Sequence, residues 1–254
     1  MPSWKELLKS AADRPINFEL DGLSNTEVYD LVELSSKDQF GVKERVKNKL
    51  ALKPSHNLDI HKRLMEFAKN NSLPVLTTNF DEAFEKSVNA ELFHIESKGF
   101  TRFYTWKTYY GHSQLELPTD GFGIWKVHGD VRYKDSIRLG LTDYMGSAER
   151  ARKLIHNGDD RLFKGKRQAY WQGHQNWLHI WFNLPIVIIG LKYGIDEVFL
   201  RWLLIERKRY LNIYDDPMNV YFVSKNTPEP AVKNLMINLG VQIILINEYS
   251  EIYG

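Results

Sequence analysis

Three short strings in this 254-residue chain end in side chains able to do chemistry. Thr77-Thr78-Asn79-Phe80-Asp81 follows a short apolar run and offers hydroxyls, an amide and a carboxylate. Lys126-Val127-His128-Gly129-Asp130 offers an imidazole, and Gly190-Leu191-Lys192-Tyr193-Gly194-Ile195-Asp196 a glycine and an ammonium. An imidazole titrates close to neutrality and suits general-base work. An amide supplies a fixed dipole, and a glycine lets a ligand approach the backbone. Each residue also has a plainer reading. Asn79 or Asp81 can cap a helix, His128-Gly129-Asp130 can be a strand-end turn, and Gly190 can serve a tight turn. Asp196 reads as an N-cap favoured by the helix dipole. The functional reading gains weight only if all three strings share one edge of a sheet.

The elements needed for that are legible. Short β-branched runs at Val75–Thr78, Ile124–His128, Pro185–Gly190, Val220–Val223 and Val241–Ile246 read as strands. IVIIG and VQIILI are nearly continuous apolar runs, as expected of strands covered on both faces. Ser3-Trp4-Lys5-Glu6 and Ser24-Asn25-Thr26-Glu27 read as capping boxes that open helices. Helical patterns also run over His56–Asn70, Asp81–Val88, Thr142–Ile155, Gly165–Asn183, Ile195–Tyr210 and Pro228–Leu239. The alternation predicts an α/β, Rossmann-like, doubly wound and mainly parallel sheet with helices on both faces. In such sheets ligands sit beyond the carboxyl ends of the strands, where Asn79, His128 and Gly190 would meet.

Composition bounds the function. Lys+Arg 34 against Asp+Glu 32 leaves +2, so no global field points to nucleic acid or an anionic membrane. Apolar residues make up 43% and aromatics 13%, enough for a large core. No apolar run reaches membrane-spanning length and no secretory pattern opens the chain, so a soluble cytoplasmic protein is expected. The cysteine count of 0 removes disulfides, thiolate nucleophiles and zinc ribbons. His56 and His61, like His174 and His179, lack the i, i+4 spacing of a helical metal site, and no metal is expected. The basic residues Arg150, Arg152, Lys153, Arg161, Lys164, Lys166 and Arg167 read as a solvated helix face, or as a patch for a phosphate-bearing ligand or acidic partner. Tyr170, Trp171, Trp177, Trp181 and Phe182 have helical spacing and read as core.

TTNFD at 77–81, KVHGD at 126–130 and IIGLKYGIDE at 188–197 together resemble the sirtuin-like family of NAD-consuming domains, in particular its prokaryotic antiphage-defence branch. The helix bearing His61-Lys62-Arg63-Leu64 and the segment LTDYM at 141–145 fit the same pattern. The resemblance implies one sirtuin-like domain over residues 1–254, with 90–123 and 142–183 as elaborations. It implies NAD+ as substrate, cleaved between nicotinamide and ribose. His128 and Asn79 would be catalytic. Thr78, Asp81, Gly190, Lys192, Ser224 and Asn226 would contact the dinucleotide. Deacylating relatives carry a four-cysteine zinc module, absent here, so protein deacylation is the weakest implied activity. Relatives also open with a strand and a glycine-rich phosphate loop, whereas this chain opens with MPSWKELL, which resembles the residues immediately after that loop. Such loops neutralise a pyrophosphate through backbone N–H groups. The alternative is therefore a catalytically impaired module that binds a nucleotide or a protein. The defence branch further implies a sensor or regulatory subunit, or homo-oligomerisation, as the trigger, with nucleic acid reached only through a partner.

Overall fold

The computed structural model describes residues 4–16, 22–38, 41–51, 56–95, 101–164, 170–215 and 217–253. Ser3 of the first capping box, residues 165–169 of the helix expected over Gly165–Asn183, and Lys166 and Arg167 of the basic cluster lie outside these. So do residues 96–100 of the 90–123 elaboration.

Three helices come first. They are α1 (Trp4–Ala11), α2 (Asn25–Ser35) and α3 (Val42–Leu50). The capping box at α2 forms as expected: the Ser24 hydroxyl accepts from Glu27 N, and Ser24 N donates to the Glu27 carboxylate at 2.8 Å. Leu7, Leu8, Val28, Val32, Val42 and Val46 bury one apolar cluster, into which Phe80 and Ile137 also insert.

Helix α4 (Asp59–Asn70) leads into strand β1 (Pro74–Thr77), followed by α5 (Ala83–Ser87), β2 (Glu91–His94), β3 (Thr108–Gly111) and β4 (Gly123–Lys126). These strands form one sheet in the order β1-β4-β3-β2. β1 and β4 are parallel, while β4 with β3 and β3 with β2 are antiparallel. The pleat sends alternate residues of β4 to opposite faces. Ile124 joins Met65 and Ala68 of α4 on one face, and Trp125 joins the main core on the other.

Helix α6 (Leu141–His156) and α7 (Trp177–Asn183) precede β5 (Ile186–Ile189). Then come α8 (Val198–Tyr214), β6 (Val220–Ser224), α9 (Pro230–Asn238), β7 (Gln242–Leu245) and α10 (Ser250–Tyr253). Strands β5, β6 and β7 form a second sheet, parallel throughout. Trp125 and Val127 from the first sheet, Ile188 and Phe222 from the second, and Trp177, Phe182, Phe199 and Leu203 from the helices share the main core.

All five expected strands form, and three of the five strand pairings are parallel, but the described strands do not lie in one sheet. Among the described residues there are two sheets, and the first is mixed. The physical reason for the mixed sheet is the 90–123 segment, read as an elaboration. It supplies β2 and β3, which pair antiparallel and occupy the second edge of β4 through Tyr110 opposite Ile124. Among the described residues, helix replaces turn in the expected Gly165–Asn183 span only from Trp177, where Asn176 caps by accepting from Leu178 N at 2.9 Å. No helix among the described residues is long and apolar enough to cross a membrane.

Candidate functional site

The register of β1 against β4 decides where the first two strings meet. Thr77 pairs with Lys126, and Val127 N donates to Thr77 O at 2.9 Å, so the ladder runs on past the strands. Asn79 and His128 each lie two residues beyond the last paired position of neighbouring parallel strands. They therefore leave the same edge of the sheet at the same level. Asn79 is exposed, and its side-chain amide makes no bond among the described residues.

His128 is buried, with 3% exposure. Its ring packs against Tyr144 of α6, the centroids 5.2 Å apart. Its Nε2 lies 3.1 Å from the Glu197 carboxylate. An ionised carboxylate only accepts, so the bond places a proton on Nε2. Glu197 immediately precedes α8, seven residues beyond Gly190, so this contact brings the carboxyl ends of β4 and β5 to one side of the molecule. Gly129 comes next because nothing larger fits: its φ is +109°, and a Cβ would fall 2.2 Å from Ser136 O. The chain folds back there, and Arg138 N donates to His128 O at 2.8 Å.

A buried ion pair lies beneath. Lys126 Nζ is 2.5 Å from Glu85 Oε1, each side chain 2–3% exposed. The same ammonium donates to the Asp81 carbonyl and to Asn79 O at 3.4 Å. It thus fixes the backbone that presents Asn79. Burial pushes the Glu85 carboxyl up, against the opposing pull of Lys126. Asp130 accepts from Tyr110 Oη and from Arg132 N at 2.8 Å. Burial, with that carboxylate beside them, pushes the phenols of Tyr104 and Tyr110 far up.

The remaining expected contacts divide. Asp81 is buried and its Oδ1 accepts from Ala83 N at 2.9 Å, a local turn bond one residue ahead of Glu82, the N-cap position of α5. Thr78 is half-buried at the same strand end. Gly190 is exposed, holds φ +73°, and has nothing within 4 Å of where a Cβ would stand. Lys192 is exposed on the loop that follows. Ser224 ends β6 and donates to Asn226 O at 2.6 Å, level with Gly190 at the edge of the second sheet. A described contact ties His128 to Glu197 of the 190–197 loop; none ties Asn79, Lys192, Ser224 or Asn226 to His128.

Sequence reasoning passed over Lys126, Glu85, Tyr144 and Glu197. Lys126 was visible as a charge inside an otherwise apolar strand, IWKV. Glu197 stands in the quoted string but carried no signal of its own, because its partner lies 69 positions away. Tyr144 also lines an apolar groove of about 390 Å³ with Leu141, Met145, Val198, Phe199 and Trp202. Among the described residues no group of three or more His, Asp or Glu could hold a metal ion.

A family model for the SIR2-like domain matches residues 74–170. The match supports a sirtuin-like domain and covers Asn79, Lys126, His128 and Tyr144, while Gly190, Lys192, Glu197, Ser224 and Asn226 lie beyond it. No curated protein matches the chain.

Proposed function

We propose that the chain is an NAD+ hydrolase that breaks the bond between nicotinamide and ribose. The observation that carries this reading is the shared level of Asn79 and His128 at the ends of two parallel strands, inside the SIR2-like match. In the reaction the bonding pair leaves with nicotinamide, and water adds to the ribose carbon and gives up a proton. The transition state is oxocarbenium-like, so little covalent help is needed. Asn79 orients the ribose or the water with its amide, and His128 takes the proton. The open backbone at Gly190 and the exposed Lys192 fit a dinucleotide laid along the loop after β5.

In this reading the enzyme is an antiphage-defence effector, silent until a sensor subunit or oligomerisation releases it. The cover over His128 is consistent with such silence. The same cover favours a second reading, in which the chain binds a nucleotide or protein without catalysis. Incubation with NAD+ and candidate sensor proteins separates the two. The hydrolase releases nicotinamide, and His128→Ala lowers the rate about 10²–10⁴-fold, the usual contribution of a positioned general base. Asn79→Ala abolishes it in parallel. Full activity in both variants would defeat the assignment, and NAD+ binding without nicotinamide release would establish the binding module.

A further inference from the structure

A general base has to touch its substrate, and His128 in this structure touches protein on the sides that are described. Its side chain is 4% exposed, and the Glu197 carboxylate 3.1 Å from Nε2 belongs to a side chain 20% exposed, so Glu197 occupies Nε2 and itself reaches solvent. Tyr144 packs against the ring, tilted by 52°. Glu197 belongs to a loop with two points of freedom and two side-chain straps, beside the backbone bonds from Glu197 N to Gly194 O at 3.1 Å and from Arg201 N to Glu197 O at 2.9 Å. Gly190, at φ +73°, and Gly194 have no atom within 4 Å of a Cβ position. Between them Tyr193 is anchored, 1% exposed, with its hydroxyl donating to Leu200 O at 3.0 Å. Beyond Gly194 the loop is held by Asn25 Nδ2 donating to Asp196 at 2.9 Å and by His128 donating to Glu197. Ile195 and Val198, flanking these straps, are 74% and 63% exposed, so apolar packing adds little to hold this stretch down.

We infer that Glu197 is an inhibitory latch on His128. In the latched state the carboxylate occupies the imidazole nitrogen; in the open state the segment 194–197 swings out and a substrate hydroxyl or water takes that place. This rests on the assignment of His128 as the base. The groups facing the imidazole are Tyr144 from α6 and Glu197 from the 190–197 loop, with the carboxylates of Asp143 and Asp196 acting on the same Tyr144 phenol. The latch therefore joins two strand ends that no covalent neighbour connects, and releasing it needs no rearrangement of either sheet.

Carbethoxylation by diethyl pyrocarbonate, followed by peptide mass spectrometry, reads the latch without reference to NAD+. His94 is exposed and serves as the accessible standard, while His179, buried in the main core, reports unfolding. In Glu197→Ala, His128 becomes reactive about tenfold faster or more relative to His94, the effect of losing one hydrogen bond to a charged group. His179 stays slow. Asn25→Ala, which cuts the other strap without touching His128, raises the His128 rate in the same direction. His128 reactivity unchanged in Glu197→Ala, with His179 still slow, overturns the latch. If His128 is uncovered and nicotinamide release rises, both latch and hydrolase stand. If it is uncovered and NAD+ remains intact, the latch stands and the hydrolase reading falls.

Discussion

Lys126 sits inside a sheet with 2% of its surface exposed, matched by Glu85 at 2% on α5. Removing one member of such a pair strands the other charge, at about 3–5 kcal/mol, whereas replacing both with apolar groups is often neutral. Lys126→Met is therefore expected to lower the denaturant midpoint severely, and Lys126→Met with Glu85→Leu to recover most of the loss. Activity obeys a different rule. The double variant still lacks the ammonium that holds the Asn79 and Asp81 carbonyls, so nicotinamide release stays low while stability returns. The pH dependence has a definite sign. Burial raises the Glu85 carboxyl above its ordinary value of 4.5, so the folded state holds that proton more tightly than the unfolded chain. Stability from such a group is present in acid and lost as pH rises. In Lys126→Met, without the opposing ammonium, the deficit is largest at neutral and high pH and narrows on acidification. Urea unfolding at several pH values measures it, and a deficit independent of pH would contradict the account.

At the scale of elements, α2 does two jobs from its first turn. Ser24 closes the capping box, and Asn25 reaches Asp196 in the loop that carries Glu197. Ser24→Ala removes the cap at a cost of about 1 kcal/mol, a fall of about 2–4 °C in Tm for a chain of this size. Calorimetry checks it, and the same variant should loosen the Asn25 strap and speed His128 modification modestly. The capping box was readable because its chemistry is local: Ser24 and Glu27 are three residues apart and need nothing else. The five apolar strands were readable for a similar reason, since β-branched runs bury residues whatever lies beside them. Strands β2 and β3 were not. Phe93, Tyr109 and Tyr110 sit among charges and glycines, and their pairing depends on β4, which comes later in the chain. The tryptophans illustrate the limit of periodicity. Trp171 and Trp177 share helical spacing, yet Trp171 lies outside any helix and donates Nε1–H to His179 Nδ1 at 3.1 Å. Arg150, read with its neighbours as solvated, lies over the rings of Phe103 and Trp106 at 4.7 and 5.4 Å from the centroids. A ring-facing guanidinium leaves no trace in charge spacing.

For the whole molecule the question is how two sheets behave as one body. They share the main core through Trp125 and Val127 on one side and Ile188 and Phe222 on the other, and they meet again at the His128–Glu197 contact. The alternation of strands and helices could not separate this arrangement from one continuous sheet, because the pattern names strands and not their neighbours. The site residues were legible as strand ends; the side chains that set them, Lys126 and Glu197, act across the sheet and were not. Buried phenols test the unity of the body, because they are spread through it. Tyr29 belongs to the cluster of α1–α3, Tyr110 to that between α4 and the first sheet, and Tyr193 to the main core. Burial raises all three well above the ordinary tyrosine value near 10, with Glu33 and Asp130 adding to the effect at Tyr29 and Tyr110. The folded chain thus keeps these protons while an unfolded chain gives them up. Stability from them is intact below about pH 10 and falls as pH rises above it. If the clusters form one cooperative unit, phenolate absorbance from these tyrosines and loss of helical circular dichroism rise together in a single alkaline transition. Separate transitions, with Tyr29 ionising before Tyr193, would show that the α1–α3 cluster opens on its own and that the Asn25–Asp196 strap does not bind it to the rest.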